Sequence, residues 1–115
     1  MAPVNLSQAR RDHAARLEGG LERIRSRLAA LPEVQAVILF GSYSRGRRDL
    51  FTDLDVLVVM ETEEGFTERT ARLYGLLDAG VDLDLLVYTP RELAANQDRP
   101  FLRRILETGV VLHEK

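Results

Sequence analysis

The sequence contains no cysteine and only two histidines, His13 and His113, which lie far apart along the chain. The absence of cysteine excludes a disulfide framework, thiol chemistry and zinc–thiolate sites. Two histidines with this separation also disfavour histidine-based catalysis or metal binding. Any chemistry in this chain is therefore expected to depend on carboxylates, hydroxyls and arginines.

Long apolar runs are missing as well. No segment approaches the length needed to cross a membrane, and the first thirty residues are charged throughout, without the apolar core of a signal peptide. We therefore expect a cytoplasmic protein with no membrane partner. The formal net charge of −2 argues against broad electrostatic binding to DNA or RNA, so no direct nucleic-acid partner is expected.

The remaining composition, with 45% hydrophobic and 30% charged residues over 115 positions, is typical of an ordinary globular protein with one core. We expect a single domain over residues 1–115, with an N-terminal helical segment at 1–32 and the core at 34–115. Helices and strands alternate along that core. The predicted fold class is therefore α+β, with some α/β character, built on a small mixed sheet flanked by helices.

Apolar periodicity predicts the individual elements. A first helix is expected from about residue 6 to residue 31, and the pair Gly19-Gly20 inside it allows either two helices or one bent helix. Thr89, Pro90 and Glu92 have the spacing of a helix-capping box. Strands are expected at Val34–Phe40, 55–60, 81–88 and 110–113, with further helices at 67–79 and 100–108.

Two predicted strands start with aspartates that are two residues apart, Asp53 and Asp55 in one case and Asp82 and Asp84 in the other. Such pairs share one face of a strand, although aspartate is depleted in strands and costly to bury unpaired. A single aspartate would be explained as a solvated rim carboxylate or an arginine partner. Two pairs favour a functional cluster. Because a divalent cation relieves the repulsion, this oxygen-rich cluster suits Mg²⁺ or Mn²⁺.

The same residues impose directions on the strands. Gly41 ends the first strand and Asp53 starts the second, so a shared site requires these two strands to be antiparallel. Asp84 starts the third strand, which must then run parallel to the second. A parallel pair needs a crossover connection, and the predicted helix at 67–79 supplies it.

A glycine turn precedes the first aspartate pair. Gly41 permits a tight turn and close approach of the backbone to a ligand, and the residues after it can open a short helix whose free N–H groups attract phosphate. Ser42 adds a hydroxyl donor and Arg45 adds positive charge, whereas Arg47 and Arg48 are weaker candidates. Facing an acidic cluster, this turn predicts a binding site for the triphosphate of a nucleotide.

At these residues the sequence resembles the polymerase-β-like nucleotidyltransferase superfamily. The signature of that superfamily is Gly-Ser, about ten residues, then Asp-x-Asp, with a third carboxylate on a later strand. Here Gly41 and Ser42 are followed by ten residues and then by Asp53, Leu54 and Asp55.

The closest resemblance is to the minimal nucleotidyltransferases, which are small stand-alone domains. Their loop GSxARGxxxxxSDxDLxV is matched by GSYSRGRRDLFTDLDVLV, with Ser44 and Thr52 in place of the usual alanine and serine. The segment DLLVYTPREL resembles the strand of the third aspartate and selects Asp84 for that position, with Asp82 as its neighbour.

The resemblance implies the nucleotidyltransferase fold and a two-metal transfer reaction that uses ATP. It assigns two ions, Mg²⁺ or Mn²⁺, to the catalytic carboxylates Asp53, Asp55 and Asp84. It assigns the phosphates of the nucleotide to Gly41, Ser42 and Arg45.

The resemblance also implies a partner. Minimal nucleotidyltransferases are commonly paired with a small helical HEPN-domain RNase toxin, and some transfer AMP to a tyrosine of that toxin. We therefore expect a type VII-like antitoxin that adenylylates a HEPN partner. Two alternatives stay open, a non-catalytic binding module and a small-molecule adenylyltransferase of the aminoglycoside type. The intact aspartates favour an enzyme over a binding module. The lack of a helical substrate domain counts against a small-molecule adenylyltransferase, unless a partner supplies such a domain.

Overall fold

The computed structural model describes residues 4–115. These residues form five helices and four strands around one sheet, which confirms the predicted α+β class and the small mixed sheet flanked by helices. In chain order the elements are α1 Leu6–Ala29, β1 Val34–Phe40, α2 Gly41–Ser44, β2 Leu54–Met60, α3 Phe66–Leu77, β3 Leu83–Tyr88, α4 Pro90–Asn96, α5 Pro100–Thr108 and β4 Val110–Glu114.

The sheet has the strand order β3-β2-β1-β4. Strands β1 and β2 are antiparallel, and β2 and β3 are parallel with α3 as the crossover between them. Both predicted directions are thus confirmed. Strand β4 pairs antiparallel with β1 at the other edge. As a result, the end of β1 and the starts of β2 and β3 meet at one end of the sheet.

The two faces of the sheet are covered unequally. Helices α1 and α3 bury the larger apolar cluster, to which α1 contributes Leu17, Ile24 and Leu28. On the opposite face, α5 contributes Leu102 and Ile105 to a smaller cluster that also contains Ile38 and Leu57. Because this second layer is thinner, part of the sheet end on that face remains accessible.

Helix α1 is one continuous helix of 24 residues, so Gly19-Gly20 does not divide it into two. Gly20 is buried, and a methyl group there would come within 2.9 Å of the carbonyl oxygen of Ala79. The glycine therefore serves close packing of α1 against the chain after α3. Among the helices of residues 4–115, none combines the length and the apolar character needed to cross a membrane.

Strand β3 begins two residues later than the sequence predicted, at Leu83. Helix α3 ends at Leu77, and Asp78 takes a left-handed conformation with φ of 38°. The chain then turns through Gly80, which also has positive φ, and only afterwards joins β2. Asp82 consequently precedes the strand, whereas Asp84 lies within it.

The predicted capping box at the start of α4 is confirmed, since the Thr89 side chain accepts a hydrogen bond from the Glu92 backbone and the Glu92 carboxylate accepts one from the Thr89 backbone.

A buried arginine joins α3, β3 and α4. Arg69, which is only 3% exposed, pairs with the same Glu92 carboxylate. Its guanidinium also donates to the carbonyl oxygens of Val87 and Glu64, at 3.1 Å each.

Replacing Arg69 with methionine should therefore destabilise the protein by about 2–3 kcal/mol, because three acceptors lose their donor while the apolar stem is retained. Arg72→Met is the matched control on the same helix, since Arg72 makes only a partly exposed ion pair with Glu64 that is worth about 0–1 kcal/mol. Urea denaturation measures both. Equal losses in the two variants would contradict this role of Arg69.

Candidate active site

Two of the predicted aspartates meet directly. Asp55 of β2 and Asp84 of β3 are partners in the parallel register, so their side chains leave the same face of the sheet and their carboxyl groups are close enough to interact. Asp53, two residues before Asp55, is near enough to act on it electrostatically. Asp82 instead lines a separate cavity of about 460 Å³ beside Tyr74.

The carboxyl group of Asp55 has a shifted pKa. Burial raises the pKa of Asp55 to about 6, helped by the nearby carboxylates of Asp84 and Asp53, while the charge of Arg45 acts in the opposite direction. Burial and like charge both disfavour ionisation of a carboxyl group. Asp55 is therefore the carboxylate of this group that gains most from an added cation.

The glycine turn lies against this carboxyl group. Gly41 has φ of 76°, a conformation that residues with a side chain rarely adopt. A methyl group at this position would also overlap the side chain of Asp55, whose carboxyl carbon would be 2.8 Å away. Both the positive φ and the lack of space for a side chain therefore require glycine here. With glycine at this position, the backbone of α2 can approach the acidic group.

The three arginines of the loop after α2 have different environments. Arg47 donates to the carboxylate of Asp49 at 2.6 Å, and Arg48 stacks on the ring of Tyr43, 3.5 Å from its centroid. Within the described part of the chain, the guanidinium of Arg45 has no such partner, and it borders the cavity next to Asp55. The structure therefore distinguishes Arg45 as the arginine available to an anion.

A cavity of about 680 Å³ lies at this end of the sheet. It is lined by the start of α2, Arg45 and Asp55. Helix α5 lines it as well, which was not predicted from the sequence. Its contributing side chains follow a spacing of three and four that would have been visible on a helical projection, namely Phe101, Arg104 and Thr108.

The carboxylates at this end of the sheet fit a divalent cation. Within residues 4–115 there is no group of three or more metal-binding side chains already arranged to hold an ion, but Asp55 and Asp84 are close together and Asp53 is nearby. The donor atoms are carboxylate oxygens, which Mg²⁺ and Mn²⁺ prefer. Such a cation would favour the ionised form of Asp55 and so oppose the burial and the like charge that raise its pKa.

A model of the family described as polymerase beta, nucleotidyltransferase matches residues 22–115. The chain belongs to this family. The resemblance noted at the Gly-Ser and Asp-x-Asp motifs is thereby confirmed at the level of the family. No curated protein sequence matches this nucleotidyltransferase significantly.

Solved structures also resemble this nucleotidyltransferase. A Sulfolobus solfataricus protein described as a nucleotidyltransferase has 18% identity and a TM-score of 0.56, over 100% of this chain and 93% of that one. A mutant of the toxin–antitoxin pair MntA–HpeT has 23% identity and a TM-score of 0.49, over 83% and 69%. A Shewanella oneidensis tri-AMPylated HEPN toxin in complex with MNT antitoxin has 20% identity and a TM-score of 0.42, over 88% and 71%. The first of these matches shows a shared fold.

Replacing Asp55 with asparagine should stabilise the metal-free protein at pH 7. The pKa of Asp55 is about 6 in the folded protein and about 4 when unfolded, so its contribution to stability is lost as the pH rises through 6. Because the carboxyl group is partly exposed, the expected gain is about 1–2 kcal/mol. Urea unfolding in EDTA at pH 4.5 and pH 7 measures it, and the gain should be clearly larger at pH 7 than at pH 4.5 because the loss develops between the two pKa values.

Glu63→Gln, at an exposed carboxylate in the turn after β2, is the control and should be neutral at both values of pH. An Asp55→Asn protein that is less stable than the wild type at pH 7 would show that the ionised carboxylate is not under repulsion.

Proposed function

We propose that this protein transfers AMP from Mg·ATP to a hydroxyl group, and that the acceptor is a tyrosine of a HEPN-domain partner, so that the protein acts as an antitoxin. The observation that carries the proposal is the close approach of the carboxyl groups of Asp55 and Asp84, since Asp55 lines the cavity that the Gly41 turn borders. An uncompensated carboxylate pair next to a close backbone approach suits a metal-bound triphosphate.

On this proposal the phosphates of ATP lie against the first residues of α2. The hydroxyl of Ser42 and the nearby backbone amides donate hydrogen bonds to the phosphate oxygens. The guanidinium group of Arg45 pairs with the negative charge of the phosphates. Gly41 is required because any side chain there would occupy the space between the backbone and Asp55.

Asp53, Asp55 and Asp84 would hold two magnesium ions, with Mn²⁺ as a substitute. When bound, these ions neutralise the charge of the triphosphate and lower the pKa of the acceptor hydroxyl. Asp55 is half-buried and interacts with both of the other carboxylates, so its charge would contribute most directly to holding the metal.

In the proposed reaction the oxygen of the acceptor hydroxyl forms a bond to the α-phosphorus of ATP. The bond between that phosphorus and the oxygen bridging to the β-phosphate breaks, and pyrophosphate leaves with the electron pair. The hydroxyl proton passes to Asp84, which is more exposed than Asp53 and Asp55. From there the proton is released to water, so the acceptor gains one AMP and the protein is unchanged.

The proposed partner rests on the motif GSYSRGRRDLFTDLDVLV, which resembles the loop of minimal nucleotidyltransferases that pair with HEPN proteins. One solved MNT antitoxin is in complex with a tri-AMPylated HEPN toxin, which is the kind of product proposed here. A binding module that neutralises its partner by contact alone would not need this carboxylate arrangement. Variants that remove the metal ligands separate these two possibilities.

The isolated protein should bind ATP in the presence of Mg²⁺ and lose that binding in EDTA, because the metal-free carboxylates repel the triphosphate. Isothermal titration calorimetry with and without Mg²⁺ measures this dependence. Equal affinity in EDTA would contradict the metal-dependent site, whereas a preference for another nucleoside triphosphate would contradict only the choice of ATP.

Asp53→Asn should abolish the transfer of AMP, with a loss of at least about 100-fold in rate, because the ligand geometry is kept while one charge that holds the metal is removed. Binding of the partner should be nearly unchanged, since the substitution alters no surface shape. Mass spectrometry of a HEPN partner incubated with Mg·ATP detects the added AMP and the modified tyrosine.

Asp82→Asn is the matched control, because Asp82 lines a separate cavity and, unlike Asp53, is not among the charges that act on Asp55, and it should retain transfer. If Asp53→Asn protects cells from the partner as well as the wild type does, the binding-module reading is favoured. If the wild type modifies no HEPN protein although it binds Mg·ATP, the acceptor proposed here is wrong.

A further inference from the structure

Helix α5 presents a polar and aromatic stripe to the main cavity. Phe101, Arg104 and Thr108 are three and four residues apart and line the cavity from one side of the helix. The adjacent positions Leu102 and Ile105 are buried against the sheet. The packing of Leu102 and Ile105 against the sheet therefore fixes the position of this stripe relative to Asp55.

Phe101 is a large apolar side chain left mostly in solvent, with 62% of its surface exposed. Its ring packs edge-to-face on Phe40, with centroids 6.0 Å apart and an interplanar angle of 85°. Phe40 is the last residue of β1 and pairs with Asp55 in the register of the sheet. The exposed ring is thus oriented by a neighbour that adjoins the catalytic carboxylates.

Arg104 differs from the arginine beside it. Arg103 is paired with Glu107 at 3.0 Å, whereas the guanidinium of Arg104 makes no ion pair or hydrogen bond with the described residues and borders the cavity. Arg45, which lines the same cavity, is in the same situation. Two guanidinium groups without partners among the described residues therefore border the cavity that Asp55 also lines.

The end of α5 is packed closely against the sheet. Gly109 joins α5 to β4, and a methyl group there would come within 2.6 Å of the carbonyl oxygen of Ile105 and 3.2 Å of that of Leu39. The helix consequently ends directly against β1. A wall placed this tightly is organised before any ligand arrives, which reduces the ordering cost of binding.

We propose that α5 is the nucleoside wall of the active site. Phe101 stacks on the base of the nucleoside triphosphate, and Arg104 pairs with its phosphate tail from the side opposite Arg45. This inference rests on the proposed function and adds the part of the site that takes the nucleoside. The cavity of about 680 Å³ is within the usual range for small-molecule sites.

The chemistry of this wall predicts a class of ligand. Stacking on an aromatic ring uses the π-face that every base has, so it does not read hydrogen-bonding edges. A purine overlaps the ring over a larger area than a pyrimidine does. The site should therefore accept purine triphosphates in general and bind pyrimidine triphosphates less tightly.

The test compares Mg·ATP with Mg·tripolyphosphate, which has the charge but no nucleoside. Phe101→Leu should weaken the binding of Mg·ATP by about 5- to 20-fold and leave the binding of Mg·tripolyphosphate unchanged. Arg104→Gln should weaken both ligands by about 5-fold or more. Phe66→Leu, at a phenylalanine that is 49% exposed at the start of α3, and Arg103→Gln are the matched controls and should change neither.

A second variant keeps the proposal testable if Phe101→Leu folds poorly. The chain contains no tryptophan, so Phe101→Trp introduces a single fluorophore. Mg·ATP should quench its emission through stacking, and Mg·tripolyphosphate should not.

Two results would overturn the inference and leave the proposed function intact. One is a Phe101→Leu protein that binds Mg·ATP as the wild type does, together with a Phe101→Trp emission that ATP does not change. The other is an equal loss for ATP and tripolyphosphate in Phe101→Leu, which would assign Phe101 a general structural role. A wild type that binds neither ligand would overturn the proposed function together with this inference.

Discussion

The contact between Asp55 and Asp84 is the constraint on which the rest of the site depends. Two carboxyl groups on adjacent strands repel one another unless one is protonated or a cation lies between them. A fold selected only for stability would not place them in register. The structure tolerates them at the end of the sheet, where Asp84 reaches solvent and the apolar layer of α5 is incomplete. A cation bound there would relieve this repulsion.

The topology is what brings these groups together. The antiparallel pair β1–β2 places Gly41 beside Asp55, and the parallel pair β2–β3 places Asp84 on its other side. Helix α3 makes the parallel pair possible, and Arg69 ties that helix to β3 and to α4. Structural residues far from the cavity thus determine the geometry of its base.

Much of this could be predicted from the sequence, because the relevant patterns are local. The aspartate spacing implied a shared face, and a shared site for Gly41 and Asp53 required the strand directions that the structure has. The capping box at Thr89 is likewise a pattern of four consecutive residues. Family membership followed from the same motifs. The assignment of individual ligands to metal and phosphate remains a prediction.

Other features could not be predicted, because they depend on packing between distant segments. Gly20 allowed a break in α1, yet in the structure it lets the helix pack closely against the backbone carbonyl of Ala79. Arg45 differs from Arg47 and Arg48 because those two arginines contact Asp49 and Tyr43, and these contacts depend on the folded structure. Helix α5 looked like an ordinary amphipathic helix, since nothing in its sequence shows that β4 holds it beside the end of β1.

The pairing of β4 with β1 has a consequence for the order of folding. The carboxylates and the glycine turn come from one stretch in the middle of the chain, whereas α5 reaches them only after Val111 has paired with Ile38. Contacts between residues so distant in sequence form late, because their loop-closure entropy must be overcome first. We therefore expect a chain in which β4 has not yet paired with β1 to present Asp55 and the Gly41 turn without the side chains of α5.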